Sequence, residues 1–343
     1  MELLQLAGMG WISRSLSVAA RLGIADHLAD GPKSPAELAE LTDANPDGVL
    51  YLLRVLGIVG VFREREDGTF EQTETSERMR DDHPQSMRYW CVLGGEMYYD
   101  VWRDLLTTVK SGKPASRSEY GESIYSYMDK DTDAGEVYDK AMADITRPAA
   151  AELARDFDFS RISKVIDVGG GSGHLLKGIL AAHPDIHGTV AERGDVAKRG
   201  AQLLDESGDQ DLIRRLSFAE ADFFEEVPSG ADAYFLKNVL HNWSPESSTR
   251  ILQTVQHAMA RTVEESEGLA AEPVLFVIEP LLGHDNASAI RSLFQMVVCE
   301  EGTRIRSEED MRKQAEGAGL QVRSIRNLST EHSVVECVLA ARD

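Results

Sequence analysis

Cysteine is scarce in this chain of 343 residues. Only Cys91, Cys299 and Cys337 are present, an odd number set far apart with no C-x-x-C pair. That excludes a disulfide framework and a zinc ribbon, and fits a reducing, cytoplasmic setting. Long hydrophobic runs are also missing. The apolar stretches are short, such as Val274–Ile278, far below the ~20 residues that a membrane-spanning helix needs. No basic segment followed by an apolar run opens the chain, so no secretory leader is expected. Positive charge is in deficit: 36 Lys+Arg stand against 58 Asp+Glu, a net charge of −22. A surface of that sign repels nucleic-acid phosphates and anionic membranes. Internal repeats and low-complexity tracts are absent. So are an H-E-x-x-H helix, a Cys/His cluster and a G-x-S-x-G elbow, which removes zinc-peptidase and α/β-hydrolase chemistry. His183 and His187 are four apart, but Pro184 between them denies a shared helix face, and no metal is expected.

What is present describes a globular protein. The chain is 42% hydrophobic and 27% charged, and its length suggests about two domains. Residues 1–95 predict helices and one small hairpin. Ser34-Pro35-Ala36-Glu37 sets a cap, a proline and an acid at a helix start. Val49, Leu50, Leu52, Leu53 and Leu56 then recur at helical spacing. Gly60-Val61-Phe62-Arg63 and Thr69-Phe70-Glu71 flank Glu66-Asp67-Gly68, a hairpin signature. Helices followed by a hairpin are the layout of a winged helix, often a DNA reader. Charge argues otherwise, because residues 1–90 hold nine basic against fifteen acidic residues. A structural or dimerising domain is the preferred reading. Residues 96–160 predict helices rich in Tyr and Met, including Tyr98 and Met142; these are either core or the lining of an aromatic-ligand cavity.

From Lys164 onward, apolar runs alternate with helical segments. Val165–Val168, Thr189–Ala191, Leu216–Ala219, Ala233–Leu236 and Val274–Ile278 are separated by helix-like stretches. The alternation predicts parallel βαβ units in a doubly wound sheet. The tail differs: Leu320–Ile325 and Val334–Ala340 are split only by Asn327–His332, the spacing of an antiparallel hairpin at the sheet end. The acidic segment Val263–Glu272 is expected as a surface insertion.

The strongest chemical signal is Asp167-Val168-Gly169-Gly170-Gly171-Ser172-Gly173-His174, after the first strand of this region and opening a helix. Glycines allow a tight turn and close approach of a ligand to backbone, with a helix N-terminus behind it. The G-x-G-x-x-G frame from Gly169 ends on His174, and no G-K-[ST] follows, so the P-loop reading fails. Glu192 ends the next strand nineteen residues past Gly173, where a carboxylate can accept ribose hydroxyls. Asp222-Phe223 follows the third strand, an acid and an aromatic suited to an adenine. Three such features in order mark the carboxyl edge of the sheet, where open α/β sheets bind ligands. Just past the fourth strand lies Lys237-Asn238-Val239-Leu240-His241-Asn242-Trp243.

Together, Asp167–Gly173, Asp222-Phe223-Phe224 and Leu240-His241-x-Trp243 resemble the S-adenosylmethionine-dependent O-methyltransferases of the plant caffeate type, which include bacterial enzymes tailoring aromatic and polyketide natural products. The resemblance covers nearly the whole chain. It implies a winged-helix-like dimerisation domain (1–95), then a helical linker and a class I methyltransferase domain (96–343). That domain would be Rossmann-like, with a mostly parallel seven-stranded sheet and a C-terminal antiparallel hairpin. It implies S-adenosyl-L-methionine as cofactor, a homodimer, and a small aromatic or polyketide-like acceptor with no nucleic acid or membrane partner. Gly169 and Gly171, in the loop that Asp167 opens, would line the methionine part of the cofactor. Glu192 would hold the ribose, where the family usually has Asp. Asp222 and Phe223 would flank the adenine, and Lys237 and Trp243 would contact it. His241 would be the catalytic base and Glu279 the carboxylate that orients it. The acceptor pocket, between the helical linker and the sheet, would be lined by Tyr98, Met142, Phe294 and Met296.

The proton chemistry is sound: a phenol ionises near pH 10 and an ordinary histidine near 6.5, a workable acid–base pair. Three departures stand out. Asn242 replaces the Asp that usually follows the histidine. No acid falls in register near Ile305, where plant members carry a second flanking carboxylate, leaving Glu300 and Glu301 as stand-ins. Ser292 replaces an Asp in the substrate-facing helix. Two other readings stay open: a tailoring enzyme of the same fold with C-/N-methylation or non-methylating chemistry, hydroxylase-like or pericyclic, and a ligand-sensing winged-helix regulator. The regulator would need a basic recognition helix, which Asn45–Gly60 does not supply.

Overall fold

The computed structural model describes residues 3–121, 123–266, 272–283 and 286–341. They form two compact units. One comprises residues 3–104 and 123–145; the other comprises 105–121 and 146–341.

The first unit is built from helices and one hairpin. Helix Pro35–Leu41 starts as expected: Ser34 accepts from the Glu37 amide, and the Glu37 carboxylate returns to the Ser34 amide at 2.7 Å, a closed capping box. Helix Pro46–Ile58 buries Val49, Leu53 and Leu56. Strands β1 (Phe62–Glu64) and β2 (Phe70–Gln72) pair antiparallel across the predicted turn. The arginines of the hairpin and of the helix before it are already paired within the unit. Arg54 meets Glu64 at 2.7 Å, and Arg63 and Arg65 both meet Glu71. A wing whose arginines are neutralised in this way has little charge to offer a phosphate backbone.

The second unit carries a seven-stranded sheet in the order β5-β4-β3-β6-β7-β9-β8. Its strands are β3 (Lys164–Val168), β4 (His187–Glu192), β5 (Leu216–Glu220), β6 (Ala233–Lys237), β7 (Val274–Glu279), β8 (Leu320–Asn327) and β9 (Ser333–Leu339). All pairs are parallel except those of β9, which runs antiparallel to β7 and to β8. This is the doubly wound sheet with a C-terminal hairpin that the alternation and tail spacing predict.

Period-two alternation sends side chains to opposite faces. Tyr234 and Leu236 pack with Ile251, Val255 and Met259 of helix Pro245–Glu265 on one side. Ala233 and Phe235 pack with Leu175, Leu176 and Ile179 of helix His174–Ala182 on the other. With both faces covered, the central strands read as unbroken apolar runs.

The acidic stretch expected as an insertion begins as helix: helix Pro245–Glu265 runs through its first residues, and 267–271 lie outside the described residues. Thr254, Val255, Ala258 and Met259 bury one face, so the packed stripe carries the helix past the point where charge sets in. Among the described residues, no helix is long and apolar enough to cross a membrane, and no group of His, Cys, Asp and Glu is placed to hold a metal ion.

Candidate active site

Strand order reverses at β3, which has β4 on one side and β6 on the other. The chains leaving the adjacent strands β3 and β6 therefore run to opposite sides, toward β4 and β7, and such a switch point is where open α/β sheets form a crevice at their carboxyl ends. The glycine loop leaves β3 there. Gly169 has φ +72°, and a Cβ on it would come to 3.0 Å from Val239 and 3.4 Å from the Phe223 ring. Its left-handed backbone and its neighbours both require glycine. Gly171, at φ +56°, faces open space. Its amide donates to Glu192 at 3.1 Å, and the Arg193 amide donates to the other oxygen of the same carboxylate at 2.9 Å.

Asp167 lies beneath this loop, 1% exposed, and its Oδ1 has no hydrogen-bond partner among the described residues; nor does the buried Ser172 hydroxyl. Burial pushes the Asp167 carboxyl up to about 7; nearby Lys237 opposes that shift and Glu192 adds to it. Burial also pulls the Lys237 ammonium down to about 8, against the pull of Glu279 and Asp167. The Lys237 ammonium donates to the Thr146 hydroxyl at 3.2 Å. Open space above Gly171, an unpartnered buried carboxylate oxygen and acidic surroundings fit a cationic nucleoside.

An aromatic wall stands beside the loop. Phe223 meets Trp243 edge-on at 5.9 Å between centroids, and Phe224 meets Trp243 at 4.9 Å. Asp222 is exposed, and its Oδ1 accepts from the Phe224 amide at 2.9 Å, fixing the turn after β5.

His241 sits in a short 3-10 turn, Leu240–Asn242, just past β6. Its Nδ1 is 2.6 Å from Glu279 Oε2, at the end of β7. The pair is at ion-pair distance but not aligned as a straight hydrogen bond, as is common before a ligand tightens a site. The other oxygen, Oε1, accepts from the Leu240 amide at 2.8 Å and the His241 amide at 3.4 Å. Burial by itself would raise the Glu279 pKa; the contact with His241 and then the nearby Arg306 guanidinium outweigh it, so the carboxyl titrates below its ordinary range.

Neither stand-in acid is seen to flank His241. Glu300 accepts from the Ser244 amide at 2.6 Å and the Ser247 hydroxyl at 3.2 Å. It caps helix Pro245–Glu265, where negative charge favours the helix N-terminus. Asn242 turns away as well: its amide donates to the Asn238 carbonyl at 3.0 Å and its Oδ1 accepts from the Cys299 thiol at 3.3 Å. Ile305 is buried.

Two residues in this site escaped the sequence. Arg306 is 4% exposed and donates to the Leu240 carbonyl at 2.9 Å, the Trp243 carbonyl at 3.0 Å and the Ser248 hydroxyl. In the sequence it is only one of two arginines flanking the apolar Ile305. His332, in the β8–β9 connection, pairs with Thr330 O at 2.9 Å and the Asn238 side chain at 3.0 Å. Burial and the Lys237 charge pull its pKa down to about 3, so it is neutral. A histidine in a hairpin connection gave no pattern to read.

Of the expected acceptor contacts, Tyr98 and Met142 belong to the first unit and Phe294 and Met296 to the second. Tyr98 is buried edge-on against Trp90 at 6.2 Å, Met142 and Phe294 are half-buried, and Met296 is 37% exposed.

Comparison with known proteins adds a family to this geometry. The O-methyltransferase domain matches residues 102–321, and the O-methyltransferase dimerisation domain matches residues 4–81. The chain is 38% identical over 257 residues to the phenazine O-methyltransferase PhzM of Lysobacter antibioticus, covering 75% of this chain and 74% of that protein. It is 32% identical over 252 residues to the aclacinomycin 10-hydroxylase RdmB of Streptomyces purpurascens, covering 71% and 66%. Among solved structures, an O-methyltransferase from neocarzinostatin biosynthesis, in complex with S-adenosylmethionine and 2-hydroxy-5-methyl naphthoic acid, superposes with a TM-score of 0.79 at 30% identity, over 99% of each chain.

Proposed function

The chain belongs to the S-adenosylmethionine-dependent O-methyltransferase family, and from that premise we propose that it methylates a hydroxyl on a small aromatic natural product, with His241 as the general base. The observation that carries this reading is the 2.6 Å contact between His241 Nδ1 and Glu279 Oε2. With Nδ1 turned to the carboxylate, Nε2 is the ring nitrogen left to take a proton. The imidazolium that then forms faces a buried carboxylate, whose charge stabilises it. Glu279 also fixes the histidine's backbone through the Leu240 amide, so ring and main chain are held by one side chain.

S-adenosylmethionine, when bound, supplies an electrophilic methyl group on a cationic sulfur. In this reading Gly169 and Gly171 hold its methionine part above Asp167, and Glu192 holds the ribose. Asp222 and Phe223 hold the adenine, with Lys237 and Trp243 nearby. Positioning then supplies much of the rate, because orientation removes the entropic cost of bringing two reactants together. Tyr98, Met142, Phe294 and Met296 are the proposed acceptor contacts. The matched dimerisation domain supports a homodimer.

The likeness to a 10-hydroxylase favours one second reading, a fold-mate that oxidises rather than methylates. Product mass separates the two. Incubation with trideuteromethyl-labelled S-adenosylmethionine and a panel of hydroxyarenes should give products heavier by one labelled methyl group. A gain of oxygen, or no change across the panel, would overturn the reading.

A further inference from the structure

Helix Asn286–Val298 and the residue after it, Cys299, carry a buried stripe of polar side chains. Ser288, Gln295 and Cys299 are 2%, 3% and 5% exposed, and their spacing of seven and then four residues places them on one face. Two of the three are spoken for. Ser288 accepts from the Gly283 amide at 3.0 Å, and the Cys299 thiol meets Asn242 Oδ1 at 3.3 Å, beside His241. Gln295 is the exception: its Oε1 is buried with no hydrogen-bond partner among the described residues. The Cys299 amide donates to the Gln295 carbonyl at 2.9 Å, so Gln295 lies one helical turn, about 6 Å, from the residue that touches the histidine's neighbour. A second group in the same unit is in the same state. Helix Leu105–Ser111 packs against this helix, and its Thr108 hydroxyl is fully buried and also unpartnered among the described residues.

Buried polar groups without partners are few in folded proteins, and each lowers stability relative to an apolar side chain of the same shape. An amide oxygen kept at such a cost, one turn from a residue that touches the neighbour of the base, is suited to a ligand. We propose that Gln295 is a specificity-determining residue whose side-chain amide hydrogen-bonds an oxygen substituent of the aromatic acceptor, other than the hydroxyl that receives the methyl group. The assignment rests on the reading of His241 as the base beside which the acceptor sits. It narrows the acceptor to arenes carrying at least two oxygen substituents, since an amide both donates to carbonyl or carboxylate oxygens and accepts from hydroxyls.

The test compares the wild-type enzyme with Gln295→Met and Gln295→Leu, using 1-naphthol, 1,5-dihydroxynaphthalene and 1-hydroxy-2-naphthoic acid. The ratio of kcat/KM between each substituted acceptor and 1-naphthol should fall at least tenfold in both variants, chiefly through KM. The melting temperature of at least one variant, without acceptor, should rise by about 2 °C, because an unpartnered buried oxygen has been removed. An equal loss on all three acceptors means a structural role and overturns the assignment. A lowered or unchanged melting temperature in both variants means a partner within the protein, such as a buried water, and overturns it too. Methylation of none of the three by the wild-type enzyme counts against the hydroxyarene reading itself, and the Gln295 assignment falls with it.

Discussion

Arg306 and Glu279 grip the same residue from opposite ends. Glu279 accepts the Leu240 amide at 2.8 Å, and Arg306 donates to the Leu240 carbonyl at 2.9 Å. A carboxylate on the N–H and a guanidinium on the C=O each make a charge-assisted bond. Together they fix the turn that carries His241. No second acid is seen against the histidine ring; the backbone clamp takes over part of the task of holding it. Burial lowers the Arg306 pKa and the Glu279 charge opposes that, so the two residues also keep each other ionised.

Arg306→Met should cut both stability and turnover. It leaves the buried Leu240 carbonyl and the half-buried Trp243 carbonyl without their charged donor, a loss of about 3 kcal/mol. Chemical denaturation should show the lower midpoint, and kcat should fall more than KM for the cofactor rises. A variant with wild-type stability would contradict the clamp.

His241→Ala should reduce kcat by about 10²–10⁴ while the affinity for S-adenosylmethionine stays within about twofold. Calorimetric titration and single-turnover kinetics read the two quantities separately. Undiminished turnover would sink the assigned role.

Glu279→Gln keeps the shape and removes the charge that faces His241. Turnover should drop about tenfold or more. Stability gives a pH signature. The folded pKa of Glu279 lies below its ordinary value, so its contribution is present above about pH 4.3 and is lost as pH falls through the folded value. The variant should therefore be less stable than wild type at pH 7, with the gap closing in acid. A gap that persists at pH 2 would contradict this.

Asp167→Asn should show the opposite sign. Its carboxyl titrates near 7 in the fold and near 3.9 unfolded. Between those values the folded state binds more protons, so wild type loses stability as pH rises. The variant should gain on wild type from pH 4 to 7 and hold that gain above. Thermal melts across that range without cofactor measure the difference, and a flat difference would refute it.

Gly169→Ala and Gly171→Ala separate backbone strain from ligand space. Both positions are left-handed and should lose about 1 kcal/mol of stability. Gly169→Ala should lose more, because its Cβ meets Val239 at 3.0 Å. Gly171→Ala, with open space around it, should weaken S-adenosylmethionine binding more than tenfold while costing the fold only the strain. Equal effects on fold and binding at both sites would argue against a cofactor above Gly171.

Much of this was legible from local pattern. The apolar runs that became β3 to β7 declared themselves because central parallel strands are buried on both faces. The Ser34–Glu37 box, the Glu66-Asp67-Gly68 turn and the glycine loop are likewise written in adjacent residues, since caps, turns and left-handed backbone are short-range requirements. The His241–Glu279 pair was foreseen through resemblance to a family, and the sheet joins them because Lys237, at the end of β6, pairs with Ile278, next to Glu279.

The sequence by itself determined the layers of the fold, the edge of the sheet where chemistry gathers and the kind of side chain found there, because each depends on periodicity or on neighbours within a few residues. Only the tertiary structure decided who serves whom. Glu300 went to a helix cap, Asn242 to the Asn238 carbonyl, and Arg306, 66 residues past Leu240, to the turn of His241. Which partner a buried charge meets is set by desolvation and distance in three dimensions, and no spacing along the chain encodes that choice.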